Sequence, residues 1–247
     1  MVDFVKRFHN LIFRLILSVV IVVFYIVDSE ALLSNLNEVF SFNVMTLVWL
    51  VFILEILYRF FPTDNVGISK VYKKNYVEKP YNPTMLHEAK KHDVYRALIM
   101  FGLFLIMMVT VSTLYLLHII DKGIVLIIVL MLWILSEICV ELFCPFSYLF
   151  FKKKCCNKCR FYSWDYFLMF CPLIYIGSVF TYIVVLLAFG LLIFWEIVYI
   201  RHPQRFYDIS NESLDCTSCT NHNCKYKNKL NGIADKMFGF VGRKGSK

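Results

Sequence analysis

Two short cysteine pairs carry the most specific chemistry in this chain. Cys156-Asn157-Lys158-Cys159 and Cys216-Thr217-Ser218-Cys219 both have C-x-x-C spacing. That spacing brings two sulfurs to one ion at about 2.3 Å, and two such pairs complete the tetrahedral set that structural zinc prefers. Neighbouring lysines (Lys152, Lys153, Lys154 and Lys158) favour the thiolate form that binds metal. Cys155, Cys224 and His222 lie close enough in sequence to replace a primary ligand. Zinc is therefore the expected cofactor, with a four-cysteine iron–sulfur cluster as the alternative. The same thiols could instead form a redox pair or carry lipid.

A second set of chemistry-bearing residues sits within apolar stretches. Glu55 and Arg59 are spaced i, i+4, as are Glu137 and Glu141. On a helix each pair shares one face. The first pair reads as a self-neutralising ion pair, and the second as carboxylates reaching an interface rich in lysine. Ionisable groups in membrane spans are also functional candidates, as linings for a proton or cation. Asp165 and Glu196 stand at the two ends of a later apolar run and join that group. Arg14 lies one turn inside the first apolar stretch, where a long side chain can snorkel to the headgroups.

The elements that must position these residues are membrane helices. Hydrophobic residues make up 59% of the 247-residue chain and charged residues 18%, against about 45–50% and about 25% for a soluble domain. The apolar residues fall in blocks near the length of about 20 that a helix needs to cross the bilayer. They are continuous rather than alternating, which predicts an all-α, polytopic membrane protein. Four full spans are expected near 11–27, 43–61, 97–120 and 124–143. The first looks like a retained signal anchor, since no small-x-small cleavage site follows it. A short amphipathic helix over 84–95, with Thr84 as N-cap, should lead into the third. Asp121-Lys122-Gly123 is a tight turn joining the third and fourth.

The segment 161–200 is long for one span and short for two. Pro172 and Gly177 can break it, which predicts a broken or re-entrant helical hairpin; the other reading is a half-span helix followed by one full crossing. Trp164 and its tyrosine neighbours resemble an interfacial aromatic belt. Three regions follow: a four-helix region 1–143 with a loop at 62–96, a cysteine-rich loop and hairpin 144–200, and a basic tail 201–247.

Charge sets the expected orientation. The loop 62–96 has seven basic residues against four acids, the loop 144–160 has five against none, and the tail has nine against four. Residues 28–42 have three acids and no lysine or arginine. The positive-inside rule then places the N-terminus, both basic loops and the tail in the cytoplasm of a cell-membrane protein. The net charge of +8 points to anionic lipid headgroups rather than nucleic acid as partner. Nine cysteines, an odd number in lysine-rich surroundings, do not fit an extracellular disulfide framework. Asn211-Glu212-Ser213 matches a glycosylation acceptor, which a cytoplasmic tail would not use.

No phosphate-binding loop, H-E-x-x-H or G-x-S-x-G motif occurs, so the chain reads as a non-enzymatic multipass protein of transport, scaffold or assembly type. On this reading its cytoplasmic cysteines join loop and tail through a metal. The alternatives are a membrane thiol–disulfide oxidoreductase and an ion or solute transporter built on the embedded carboxylates.

Overall fold

The fold comes from a computed structural model, which describes residues 2–37, 44–61, 70–141 and 164–215. Both C-x-x-C pairs, together with Cys155, His222 and Cys224, lie outside the described residues. The architecture is all-α. In order come α1 (Val2–Val27), α2 (Ser29–Asn37), α3 (Val44–Tyr58), α4 (Pro83–Leu116), α5 (Lys122–Glu141), α6 (Asp165–Phe170) with a 3-10 turn at Cys171–Tyr175, and α7 (Val179–Arg201).

Four helices are long and apolar enough to cross a membrane: α1 over His9–Val27, α4, α5 over Lys122–Cys139, and α7. Three of these match the spans expected near 11–27, 97–120 and 124–143. The fourth, α7, with 23 residues, lies in the 161–200 segment. The described helix α3, in the span expected near 43–61, is a shorter apolar helix of 15 residues, about 22 Å, bordered at its start by residues outside the described ones. The outer faces suit lipid: Ile16 is 61% exposed, Ile106 64% and Leu186 71%. Exposed apolar side chains along whole helices are costly in water and cost nothing in hydrocarbon.

The helix ends follow their local sequence. Asn82, not Thr84, caps α4: its Oδ1 accepts from the Thr84 N–H at 3.0 Å, with Pro83 in the first turn. Pro suits that position because its missing N–H has no intrahelical partner there. The expected amphipathic helix leads directly into the third span, and α4 runs unbroken for 34 residues. Asp121 caps α5 through the Ile124 N–H at 2.8 Å and also accepts from Tyr25 Oη at 3.0 Å. This one residue both turns the α4–α5 connection and ties it to the end of α1.

Contacts along the helices fix their directions. Arg14 meets Trp133 while Tyr25 meets Asp121, so α1 and α5 are antiparallel. Phe101 packs on Trp164, Phe104 on Phe167 and Tyr115 on Tyr175, so α4 and the α6 segment run side by side in the same direction. Phe167 meets Phe189, and Trp164 Nε1 donates to Glu196 Oε1 at 2.6 Å, so α7 returns antiparallel to α6. Residues 164–201 thus form a hairpin whose two ends lie at one level. Trp164 is a strut across the mouth of this hairpin rather than a member of a free aromatic belt.

The hairpin turns at Gly177, whose φ is +75°. An L side chain is disfavoured there, while nothing but the Tyr182 hydroxyl comes near a Cβ at this position. Gly177→Ala is therefore expected to cost about 1–2 kcal/mol through backbone conformation alone, seen as a lower unfolding midpoint in detergent. The core beneath is aromatic. Phe52 of α3 is fully buried and touches Trp49, Trp133 and Phe170.

Candidate functional site

The embedded charges converge at one end of the bundle. Arg14 does not snorkel outward; it is 4% exposed. Its Nη2 lies 3.2 Å from Glu55 Oε2 on α3 and 3.2 Å from Glu137 Oε2 on α5. Its Nη1 donates to the Trp133 carbonyl at 2.7 Å and to Ser136 Oγ at 3.1 Å. The guanidinium also stacks over the Trp133 ring at 4.8 Å. A planar fork with five donors can satisfy all of these at once, which an ammonium cannot.

Glu55 Oε2 also accepts from Trp133 Nε1 at 2.8 Å and from Tyr166 Oη at 3.3 Å. Arg59 pairs with Asp165 across to α6, Nη2 to Oδ2 at 3.5 Å, and stacks on the Tyr166 ring at 4.5 Å. The expected pairing of Glu55 with Arg59 along one helix is thus replaced by pairs between helices: Glu55 is drawn to α1 and Arg59 to α6. Glu137 is 7% exposed and belongs to the interior rather than to the interface. Glu141 ends α5, and its side chain lies outside the described ones. Glu196 closes the hairpin mouth through Trp164.

Some buried atoms in this network have no hydrogen-bond partner among the described residues: Arg14 Nε, Ser18 Oγ one turn along the same helix, and Asp165 Oδ2. A buried polar atom left unpaired costs about 1–3 kcal/mol, so an incomplete network of this kind marks a place where a small polar species can add to it.

At the same end, the loop after α3 and the tail after α7 are stitched together. Glu78 and Asn211 form an isolated antiparallel bridge. The Glu212 N–H donates to the Val77 carbonyl at 2.9 Å, and Lys79 Nζ reaches Asp215 Oδ2 at 3.0 Å. Asn211 is fully buried. Its Nδ2 donates to the Arg205 carbonyl at 2.7 Å and to the Lys70 carbonyl at 3.3 Å, while its Oδ1 accepts from the Ser213 N–H at 3.1 Å. The acceptor-like Asn211-Glu212-Ser213 is therefore a structural latch with its amide fully engaged. Tyr72 holds the loop to α3 by donating to the Arg59 carbonyl at 2.8 Å. Burial pushes its phenol up to about 12, against a smaller opposing pull from Arg59, so it stays a neutral donor at physiological pH.

The sequence marks Glu55, Arg59, Glu137, Asp165 and Glu196 as candidates, and the structure brings them to one end. Nothing in the spacing of Trp133 and Ser136 distinguishes them from core residues, and Tyr166, expected in an interfacial aromatic belt, instead donates to Glu55 and lies under Arg59. Among the described residues no group of three or more His, Cys, Asp or Glu side chains could hold a metal ion. The proposed ligands Cys156, Cys159, Cys216 and Cys219 are not among those residues. Comparison with family models, with curated proteins and with solved structures finds no match to this chain.

Proposed function

We propose that this chain is a non-enzymatic multipass protein of the cell membrane whose basic end is cytoplasmic, and that Cys156, Cys159, Cys216 and Cys219 hold one structural zinc that joins loop and tail there. Cys155, Cys224 and His222 are the substitute ligands. One observation carries this reading. Trp164, five residues after Cys159, and Asp215, immediately before Cys216, belong to parts of the chain held at the same end of the bundle. Five residues of chain reach at most about 18 Å. The latch between 70–79 and the tail holds the start of the tail at this end, and the basic loops support the cytoplasmic orientation. Anionic headgroups are the expected lipid partners of that face. Such a clip suits a scaffold, an assembly factor or the cytoplasmic gate of a transporter.

Purified protein is expected to contain about one zinc per chain by elemental analysis. Cys219→Ser should reduce this to none and expose the tail to protease. Protein that carries no zinc and keeps a protected tail would overturn the reading. Free, alkylatable thiols that form a mixed disulfide would instead favour a thiol–disulfide oxidoreductase.

The buried ion network favours a second reading, an ion or small-solute transporter. Ionisable groups are retained within spans mainly where they pair or carry function. Flux in liposomes that is abolished by Glu137→Gln would support it.

A further inference from the structure

Charge balance around the α3–α6 contact is incomplete. Among the described residues, two guanidiniums face three carboxylates: Arg14 and Arg59 against Glu55, Glu137 and Asp165. The groups around Asp165 among the described residues are Arg59 from α3, the Tyr166 N–H from α6 itself, Arg14 from α1 and Glu137 from α5. Glu196 of α7 is held apart from it by its hydrogen bond from Trp164. An uncompensated charge in a low-dielectric interior is strongly disfavoured, and such groups neutralise instead of remaining ionised.

The three carboxylates are not equivalent. Glu55 Oε2 receives hydrogen bonds from Arg14, Trp133 and Tyr166. All three donors stabilise the ionised carboxylate. Glu137 shares Arg14 at 3.2 Å. Asp165 accepts one backbone hydrogen bond at Oδ1, from the Tyr166 N–H at 2.8 Å, and its buried Oδ2 accepts none among the described residues. Arg59 stands 3.5 Å away from that oxygen, beyond hydrogen-bond geometry, with its face on Tyr166. The Arg14 side chain, 5% exposed, leaves Nε unpartnered in the same cluster. So, among the described residues, the cluster has one carboxylate more than it has guanidiniums and one carboxylate oxygen without a hydrogen bond.

We propose that Asp165 is a proton-binding site, taking one proton on Oδ2 from the aqueous phase at the basic end. Binding forms a carboxylic O–H bond on Asp165 and leaves the remaining two carboxylates matched by Arg14 and Arg59. Loss of the proton returns it to water and restores the Arg59–Asp165 ion pair at full strength. Asp165 opens the 164–201 hairpin, so proton uptake weakens the tie between α3 and that hairpin. The site is independent of the cysteines and of any metal on them.

The test is infrared difference spectroscopy in D2O on the full chain in lipid nanodiscs, titrated from acidic to alkaline pH. Wild-type protein is expected to show one carboxylic-acid carbonyl band at mildly acidic pH, above the range where ordinary carboxylic acids ionise, that titrates away as the pH rises. Asp165→Asn keeps the acceptor for the Tyr166 N–H and should fold, but lacks this band. Glu196→Gln should retain it. Arg59→Gln should move its midpoint to higher pH, since the cation that opposes protonation is gone; a purely structural Asp165 would leave no band to move. Absence of the band in wild type, or its survival in Asp165→Asn, would overturn the proposal. Liposome flux is a separate readout: a band without flux leaves the proton site standing and removes the transporter reading.

Discussion

Arg14→Leu is expected to destabilise the protein by about 3–5 kcal/mol, the usual cost of removing one partner from a buried ion pair. The physical cause lies in what remains rather than in what is removed. Leucine fills much of the same volume, but Glu55 and Glu137 lose the guanidinium 3.2 Å from each of them. The Trp133 carbonyl and Ser136 lose a donor as well. Arg14→Lys should recover only part of the loss, because an ammonium cannot span two carboxylates, a carbonyl and a hydroxyl in one geometry. Neutralising the stranded acids is the stronger control. The triple variant Arg14→Leu, Glu55→Gln, Glu137→Gln should regain most of the stability, since well-packed neutral groups often replace buried ion pairs at little cost. Denaturant titration in micelles reads all three. A single variant as stable as wild type would show that Arg14 does not hold the bundle together.

Asn211→Ala should have the second-largest effect, centred on the basic end rather than the bundle. The amide joins three backbone groups, on Lys70, Arg205 and Ser213. The Ser213 hydroxyl still reaches the Lys70 carbonyl at 3.2 Å. Two groups therefore lose their partner, at about 1–3 kcal/mol each. The expected result is faster hydrogen exchange in 70–79 and 203–215 with little change in α1 or α5. Lys79→Ala, which removes a partly exposed ion pair at the same seam, is expected to fall within about 1 kcal/mol. Equal exchange in the two variants would show that the latch does not depend on the buried amide.

The class of the fold is visible in the sequence because lipid imposes it on every residue of a span. Block length and the absence of alternation suffice for α1, α4 and α5, whereas they leave 161–200, which holds α7, between a broken hairpin and a half-span helix followed by one full crossing. The α3 and α6 segments are harder, since apolar composition says a segment is buried without saying how much of it is helix. The site was legible as a set of residues and illegible as a set of partners. Glu55 and Arg59 invite a local pairing because they share a helix face, yet each finds a partner more than 40 residues away: Arg14 for one, Asp165 for the other. Snorkelling and burial make the same demand on sequence at Arg14, an arginine near a span end, and only the position of α5 decides between them. Asn211 carried a signal for a different chemistry, and its burial between two chain segments could be seen only once those segments were placed.

The hairpin at 164–201 also constrains how the protein is made. Its first arm is short, with six residues of α6 and five of the 3-10 turn, and begins with Asp165. Its second arm is a 23-residue apolar helix that could enter a bilayer unaided. Were α7 to insert by itself in either direction, the orientation of the last 46 residues would be left to their flanking charges. Entering behind the short arm fixes it, because the turn at Gly177 forces α7 to come back the way α6 went in. The first arm is too short to cross a bilayer alone, so it is held in place by its packing on α7, and the Trp164–Glu196 hydrogen bond closes the pair at its open end.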